Sequence, residues 1–535
     1  MKRLLAAAVP MRLRGRFRRL HPDHVVAARS FDAAFYLKTY PDVGQVGADP
    51  LDHFMTYGWR EGRDPTPDFS VRAYLEAFAD VAESGVNPFV HYLTNGRPRP
   101  VLAESPQGFR YDVIARLKPV EERMPARFDG VTDPEVELAA ALMVSRGRLA
   151  GLHVTFSHDD YSANLGGLQS AIQREAARLK ELGRDHLHIY PAAPWPVVRT
   201  AADPEGLGVV WNGEAVGVFE PAAIARALAA AAGSDASRRS FAIHSLLGHT
   251  ADETADILAA AGLTRGVFWL HDFASLCAGF HLLRNDVEDC AAPPPDSAAC
   301  GICVYGPWRG RHLAEHARLF ERVELTVAAP SQVTLDLWTA STALPAAGTA
   351  VLPHATLEAR EPAPPVPADR PLRIAYAGLP VAHKGWPIFR ALAVKFAEDP
   401  RYEFHHLGAR GDATVPAVFH AVSAGPQAPL AMRHALEAAE IDAVLVWPLC
   451  RETFSFVAYE AVAAGCAVIA GPDSGNVAAF VADTGHGRVL TSETALADAF
   501  EGGAILDLAR ARRTPMLYDL RYSALTLDLA AAASA

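Results

Sequence analysis

Apolar and polar positions follow two alternating patterns along most of the chain. From residue 151, GLHVTFSH is typical of a buried strand, and LQSAIQREAARLKEL gathers its apolar residues on one face of a helix. A second series begins at LRIAYAG, residues 372–378, and continues through YEFHHLG, DAVLVWP and CAVIAG with helical segments between. Strands alternating with helices predict parallel sheets. We therefore predict an α/β fold with two Rossmann-like domains, over 151–360 and 372–535, joined by a proline-rich linker at 361–371.

Ahead of these domains the chain repeats itself with a period of 38 residues. The repeated pairs include Tyr36 and Tyr74, Pro50 and Pro88, and His53 and His91. In each unit an aromatic helix is followed by one that begins at proline. We predict a small helical domain over 25–103, for packing or interaction, and a connecting segment at 104–150. The two histidines are interpreted as packed side chains, because neither has a second ligand at metal spacing.

Composition narrows the classes of protein to consider. The 535 residues carry a formal net charge of −11, from 61 acidic and 50 basic residues, which argues against a general nucleic-acid binder. The chain has no run of eighteen apolar residues, and its first apolar patch precedes five arginines, the reverse of a cleaved secretory signal. We expect a cytoplasmic protein. Its basic tail, 1–24, is either disordered or an amphipathic helix that contacts anionic lipid at the inner face of the membrane.

Glycines and polar residues collect where the predicted strands end. In chain order these corners hold Gly166 and Gly167, His271 and Asp272, Lys384, Arg410, and Glu452. Ligands of open parallel sheets bind outside the carboxyl ends of the strands, so chemistry is expected at these corners. Each corner alone is also compatible with an ordinary turn. Together they predict two facing sites.

The stretch CRETFSFVAYEAVAAGCAVIAG, residues 450–471, has two glutamates separated by seven residues. We predict a helix from about Phe454 to Gly465, whose free N–H groups would attract an anion. At 1.5 Å of rise per residue, Glu452 and Glu460 would lie about 12 Å apart along its axis. Carboxylates on both sides of a phosphate site suit a nucleotide sugar, because carboxylates bind sugar hydroxyls. The spacing is also compatible with two exposed glutamates on a surface helix.

Within this stretch, ETFSFVAYEAVAAGCAVIA closely resembles the E-x7-E signature of retaining glycosyltransferases of family 4, enzymes of the GT-B fold. The glycine pair before the first helix, WLHDFASLC and YAGLPVAHKGW resemble other motifs of that family, in the family's order. The resemblance covers about residues 150–500. It implies transfer of a hexose from a nucleotide-diphosphate sugar to a glycan or lipid-linked acceptor with retention of configuration, as in surface polysaccharide synthesis.

The resemblance also implies which residues bind the donor. Gly166 and Gly167 correspond to the family's amino-terminal glycine loop. Glu460 would bind the ribose hydroxyls of the nucleotide. Ser455 and Phe456, at the start of the helix, would hold the distal phosphate.

Three residues acquire catalytic roles by the same resemblance. Glu452 would contact the donor sugar, and His271 would meet the sugar or the acceptor hydroxyl. Lys384 would neutralise the departing diphosphate, whose charge grows in the transition state. No enzymic nucleophile is evident and no cofactor is implied for catalysis, so front-face attack with a diphosphate oxygen as base is expected.

Two departures from the family pattern leave an alternative open. Leu379 stands where the family often has an arginine after the glycine of YAG, and Arg410 is either its substitute or the partner of Asp412. PDSGNVAAF has Ala478 and Ala479 in place of a usual glutamate. The alternative is a non-catalytic glycan-binding or scaffolding protein of degenerate glycosyltransferase fold.

Four of the six cysteines follow the His271 corner. They are Cys277, Cys290, Cys300 and Cys303, with the spacing C-x12-C-x9-C-x2-C. Four thiolates bind zinc tetrahedrally, which makes this insertion a candidate structural zinc site. Since only the last pair has firm C-x-x-C spacing, reduced thiols in a loop explain the pattern equally well.

Overall fold

A computed structural model describes residues 21–534. Its gaps fall at 41–42, 45–46, 68, 72–73, 76–77, 96–107, 126–127, 129, 131, 146–147, 165, 368, 413, 424 and 426–427. Most of the predicted basic tail, and part of the helical repeats, therefore lie outside the described residues. Across the described ranges, no helix has both the length and the apolar character needed to cross a membrane.

An eight-stranded sheet forms the amino-terminal Rossmann-like domain. From one edge to the other its strands are Gly348–Val351, Glu324–Ala329, Arg265–Trp269, Ser240–Ile243, His153–Phe156, His186–Pro191, Leu207–Trp211 and Glu214–Phe219. The first six are parallel, and Leu207–Trp211 pairs antiparallel with the strand on each side of it. Strand order reverses beside His153–Phe156, the first strand of the chain, and such a reversal opens a crevice at the carboxyl ends of the strands.

Six parallel strands form the sheet of the carboxyl-terminal domain. In spatial order they are Val418–Ala421, Tyr402–Gly408, Leu372–Ala377, Ala443–Leu445, Ala467–Ala470 and Gly487–Val489. Numbered along the chain, this is the order 3-2-1-4-5-6 of a dinucleotide-binding Rossmann sheet. The predicted fold class, α/β with two Rossmann-like domains, is confirmed.

Helices cover both sheets. In the amino-terminal domain they are Gly167–Glu181, Pro221–Ala231, Ala251–Ala260, Gly306–Arg322 and Gln332–Ser341, and in the carboxyl-terminal domain Trp386–Lys395, Ala431–Ala438, Phe456–Ala463, Asn476–Thr484 and Glu493–Glu501. The first of them buries Ile172 and Leu179, as its apolar periodicity predicts. It also buries Glu175, a carboxylate at a position that faces the sheet.

A helical unit with its own apolar core precedes the two sheets. Its helices are Pro22–Ala28, Ala33–Thr39, Pro50–His53 with the π-helical turn Phe54–Gly58, Ala79–Ser84 and Pro88–Thr94; Phe109–Ala115 and Glu135–Met143 follow in the connecting segment. The hydroxyl of Tyr36 lies 3.0 Å from His53 Nδ1, and that of Tyr74 lies 2.7 Å from His91 Nδ1. Each repeat thus joins its histidine to its own buried tyrosine.

The chain crosses between the two Rossmann-like domains twice. Ala355–Pro362 leaves the first domain as a strand and pairs antiparallel with Met516–Tyr522, which leads back. The last helix, Thr526–Ser534, then docks on the amino-terminal domain. There the Thr526 hydroxyl accepts a hydrogen bond from Trp269 Nε1 at 3.0 Å, and its backbone N–H donates to Glu175 at 3.0 Å. The two domains are thereby held face to face.

Candidate active site

Lys384 and Glu452 meet at the point where the strand order of the second sheet reverses. They follow Leu372–Ala377 and Ala443–Leu445, which are neighbouring strands, and Lys384 Nζ lies 2.5 Å from Glu452 Oε1. Gly385, the residue after Lys384, allows the lysine corner to pack directly against the backbone of Trp447. Its φ is +86°, and a Cβ built on it would lie 2.0 Å from the carbonyl oxygen of Trp447. Two residues predicted to be catalytic thus form an ion pair.

Extended backbone, and no helix, carries Glu452. The residue forms a parallel bridge with Gly475, and its carbonyl oxygen accepts a hydrogen bond from the N–H of Asn476 at 2.8 Å. The helix begins only at Phe456, with Ser455 as its N-cap. The observed start lies two residues after the predicted one near Phe454, and Glu452 precedes the helix as expected. The 12 Å of helical rise therefore does not describe the separation of the two carboxylates.

The start of this helix faces the glycine pair of the other domain. A Cβ on Gly167 would touch the ring of Phe456 at 3.6 Å. Ser455 Oγ accepts from the N–H of Ala458 at 3.4 Å, and the N–H groups of Phe456 and Val457 precede the first intrahelical bonds. The structure therefore brings Gly167, Ser455 and Phe456 together around a short row of backbone donors.

Glu460 lies one turn further along the helix and is only 8% exposed. Burial raises the pKa of its carboxyl to about 7, although the nearby Arg174 opposes the shift. Arg174 comes from the other domain, and its guanidinium stacks 3.9 Å from the ring centre of Tyr522 and 4.9 Å from that of Phe456. A cation thus crosses the cleft beside the carboxylate predicted to bind ribose.

Glu452 stabilises the charged form of Lys384. The ammonium lies in a recess between protein walls, which disfavours its charge, but the Glu452 carboxylate more than compensates and the pKa of Lys384 is raised. The side chain is still 43% exposed, so a ligand in the cleft can reach it. Lys384 therefore stays protonated and close to the surface of the cleft.

His271 is held by both its backbone and its ring. Its carbonyl oxygen accepts a hydrogen bond from the Thr453 hydroxyl at 2.8 Å. Its Nε2 lies 2.7 Å from His244 Nδ1, and its Nδ1 lies 3.2 Å from His354 Nε2. Both ring nitrogens are occupied, so a ligand can hydrogen-bond to the ring only by displacing a neighbour.

Leu379 and Arg410 follow neighbouring parallel strands, so both lie at the carboxyl edge of the second sheet. Their contacts differ. Arg410 pairs with Asp64 of the helical repeat unit at 3.7 Å, while Asp412 accepts hydrogen bonds from Thr414. Leu379 is 46% exposed and offers no charge to a phosphate. The role of Arg410 in donor binding stays a prediction.

A cavity of about 260 Å³ opens between the domains beside the lysine corner. His281 and Phe280 line one side, and Ala382 and His383 line the other. The rings of His281 and His383 stack with centres 4.7 Å apart. The cavity thus offers space for a small molecule beside His383, the residue before Lys384.

Several residues at the site were not anticipated from the sequence. They are Arg174, Glu175, His244, Asp289, His354 and Arg451. Arg451 and Asp289 form a two-bond ion pair, at 2.8 and 2.9 Å, immediately before Glu452. Glu175 could have been identified from the sequence, because it places a carboxylate between the apolar Ile172 and Leu179 on a helix face that should be buried.

Comparisons with known proteins show a fold likeness only. No model of a known protein family matches the chain, and no curated protein matches it in sequence. Similar solved structures include sucrose-phosphate synthase from Thermosynechococcus elongatus, with 15% identity, a TM-score of 0.42, and coverage of 68% of this chain and 91% of that one. HepE from Anabaena in complex with UDP-glucose has 14% identity and a TM-score of 0.39, with coverage of 72% of this chain and 98% of that one. The catalytic domain of starch synthase IV from Arabidopsis thaliana, bound to ADP and acarbose, has 14% identity and a TM-score of 0.34. The match covers 72% of this chain and 97% of that one. Since these three TM-scores are below 0.5, the fold assignment rests on the two sheets themselves.

The four cysteines of the insertion line one cavity, together with Arg309. Their number and type suit zinc. As the side chains stand, no three histidine, cysteine or acidic residues within the described ranges are grouped to hold a metal ion. A bound zinc would therefore require the cysteine side chains to turn toward one another.

The raised pKa of Glu460 predicts a pH-dependent gain in stability for Glu460→Gln. The folded state disfavours the charged carboxylate, so wild-type stability falls as pH rises from about 4.5 to about 7. Glutamine is neutral throughout. The variant should therefore be more stable at pH 8, by on the order of 3 kcal/mol, and the gain should vanish near pH 4.5. Urea unfolding at pH 5 and pH 8 measures this, with the exposed Glu501→Gln as control. A gain that does not depend on pH would contradict the buried carboxyl.

For the cysteine insertion we predict one structural zinc per chain. Metal analysis of freshly purified protein should find it, and Cys300→Ser or Cys303→Ser should lower both the metal content and the melting temperature. Cys466→Ser is the matched control, because Cys466 is buried in the other domain, where its thiol contacts the carbonyl oxygen of Ile441. Metal well below one equivalent in wild-type protein would favour reduced thiols.

Proposed function

We propose that the protein is a retaining glycosyltransferase, which moves a hexose from a nucleotide-diphosphate donor to a glycan or lipid-linked acceptor in surface polysaccharide synthesis. The observation that carries the proposal is the Lys384–Glu452 ion pair beside the start of the helix that bears Glu460. The corner with Lys384 and Glu452 supplies a cation and a carboxylate, the helix start supplies backbone donors, and Glu460 supplies a second carboxylate. This is the set of groups that a sugar, a diphosphate and a ribose require in turn.

Donor binding follows from this arrangement. The diphosphate would lie at the N–H groups of Phe456 and Val457, within reach of Lys384. Its ribose would lie toward Glu460, and its sugar toward Glu452. Gly167 has no side chain, which leaves the backbone free to approach the phosphates closely.

Lys384 supplies the electrostatic part of the reaction. Before the donor binds, Glu452 keeps the ammonium charged and in place. As the bond between the anomeric carbon and the diphosphate breaks, negative charge grows on the leaving oxygen. The fixed ammonium stabilises that charge more in the transition state than in the ground state.

The anomeric configuration would be retained because the acceptor attacks the anomeric carbon on the same face from which the diphosphate leaves. The acceptor oxygen bonds to the anomeric carbon as the diphosphate departs, and a diphosphate oxygen takes the acceptor proton. Glu452 is poorly suited to act as a nucleophile, because its carboxylate is paired with Lys384. The adjacent cavity, lined by His281 and His383, offers space for the acceptor.

A non-catalytic glycan-binding or scaffolding protein is the second candidate. The observation that favours it is the exposed Leu379, which leaves the lysine corner without the second cation that the family often has. Such a protein would bind sugars or nucleotide sugars and release no nucleotide. Turnover therefore separates the two candidates.

A panel of nucleotide sugars should reveal a donor from which the protein releases nucleotide. With that donor, Glu452→Gln and Glu460→Ala should each lower turnover strongly, because both side chains contact ligand. The anomeric configuration of the product, read by NMR, tests retention. Glu501→Gln is the control for both variants. Wild-type turnover in either variant would remove its residue from the site, and no release with any donor would favour the second candidate.

Lys384→Ala tests the mechanism. If Lys384 stabilises the leaving diphosphate, turnover at saturating donor should fall roughly a hundredfold or more, near 3 kcal/mol. If it only anchors the nucleotide, donor binding should weaken and saturated turnover should stay unchanged. Lys395→Ala is the matched control, since Lys395 is an exposed lysine of the same domain that pairs with Glu501. His383 is unsuitable as a control, because it lines the interdomain cavity.

A further inference from the structure

Three histidines, of which His244 and His354 are buried and His271 is partly buried, form a continuous chain that ends on a buried carboxylate. Glu175 Oε2 lies 3.2 Å from His244 Nε2, and His244 Nδ1 lies 2.7 Å from His271 Nε2. His271 Nδ1 lies 3.2 Å from His354 Nε2. His354 Nδ1 is buried, and no described residue is bonded to it. The four residues come from distant parts of the chain and meet under the interdomain cleft.

The direction of every hydrogen bond in this chain follows from its carboxylate end. An ionised carboxylate only accepts, so His244 Nε2 must carry the proton. We take His244 as the neutral imidazole: its Nδ1 is then an acceptor, and His271 donates through Nε2. By the same step His271 Nδ1 accepts from His354 Nε2. His354 Nδ1 is left as an acceptor, the less costly kind of buried group to leave without a partner.

Burial supports the neutral state of His271 and His354. It lowers the pKa of His271 well below its usual value and that of His354 to about 3, so both are neutral near pH 7. Burial alone would raise the pKa of Glu175. The histidines His153 and His244 beside it reverse that effect, and the pKa lies well below its usual value.

We propose that Glu175 and His244 are positioning residues that hold His271 as a single neutral tautomer, protonated at Nε2, with Nδ1 as the nitrogen available to the ligand. Of the two hydrogen bonds of the His271 ring, the shorter one, 2.7 Å to His244, is retained when a ligand binds. The 3.2 Å contact to His354 is the longer one, and a ligand hydroxyl can replace it. His271 therefore receives a hydrogen bond from a hydroxyl of the sugar or acceptor, and does not donate one. This inference rests on the proposed function for the identity of the ligand.

The tautomer can be observed on the full-length protein without any substrate. Neutron diffraction, or ¹⁵N NMR of histidine-labelled protein, should find the Nε2–H form at His244, His271 and His354. In Glu175→Gln the amide can either donate or accept, so the single tautomer should give way to a mixture. His420→Gln is the control, because His420 forms a separate histidine pair with His405, at 2.9 Å, in the other domain.

With the donor identified by the nucleotide-release panel, Glu175→Gln and His244→Gln should each lower kcat by about 10- to 100-fold and leave donor affinity little changed. A merely structural role would lower thermal stability without altering the His271 tautomer. An Nδ1–H or doubly protonated His271 in wild-type protein overturns the proposal, as does wild-type kcat in both variants. If wild-type protein transfers no sugar, the proposed function fails, and the tautomer measurement still decides this inference.

Discussion

Thr453 joins the two Rossmann-like domains at the residue next to Glu452. Its hydroxyl donates to the carbonyl oxygen of His271 at 2.8 Å, and its own carbonyl oxygen accepts from the Ser331 hydroxyl at 2.9 Å. On the other side of Glu452, Arg451 pairs with Asp289 of the amino-terminal domain. Buried polar groups are costly to leave unpaired, so separating the domains would expose these groups to water or leave them unsatisfied. The contacts that hold the two domains together are therefore the same contacts that position Glu452.

The strands and helices of both sheets could be predicted, because the sequence patterns that specify them extend over only a few neighbouring residues. Buried parallel strands appear as short apolar runs and the helices between them as amphipathic periods, so both are visible within a few residues. The corners follow, because parallel strands present all their carboxyl ends at one edge. That Lys384 and Glu452 meet depends on strand order, which places Leu372–Ala377 beside Ala443–Leu445. Strand order is set by long-range packing and is not visible in the local pattern.

A tertiary contact lies just before the start of the helix that bears Glu460. The sequence around Thr453 and Phe454 is compatible with an early helical turn, but Glu452 pairs its backbone with Gly475 some twenty residues later. Gly475 accepts this approach because its φ is +62° and a Cβ there would lie 2.6 Å from the Glu452 carbonyl oxygen. The extended backbone directs the Glu452 carboxylate toward Lys384. A distant glycine thus lets the backbone before the helix stay extended, and Ser455 caps the helix itself.

Glu175 is the clearest case of a residue whose role only the fold reveals. A fully buried carboxylate is expensive to keep charged, and helix Gly167–Glu181 would bury an apolar residue there more cheaply. Its two oxygens are nevertheless both used: Oε1 accepts from the backbone N–H of Thr526, and Oε2 lies against His244. An apolar substitute would leave both of those donors unpaired in the interior. One carboxylate therefore holds the returning carboxyl-terminal helix and the histidine chain at once, so the docking of that helix is coupled to the orientation of His271.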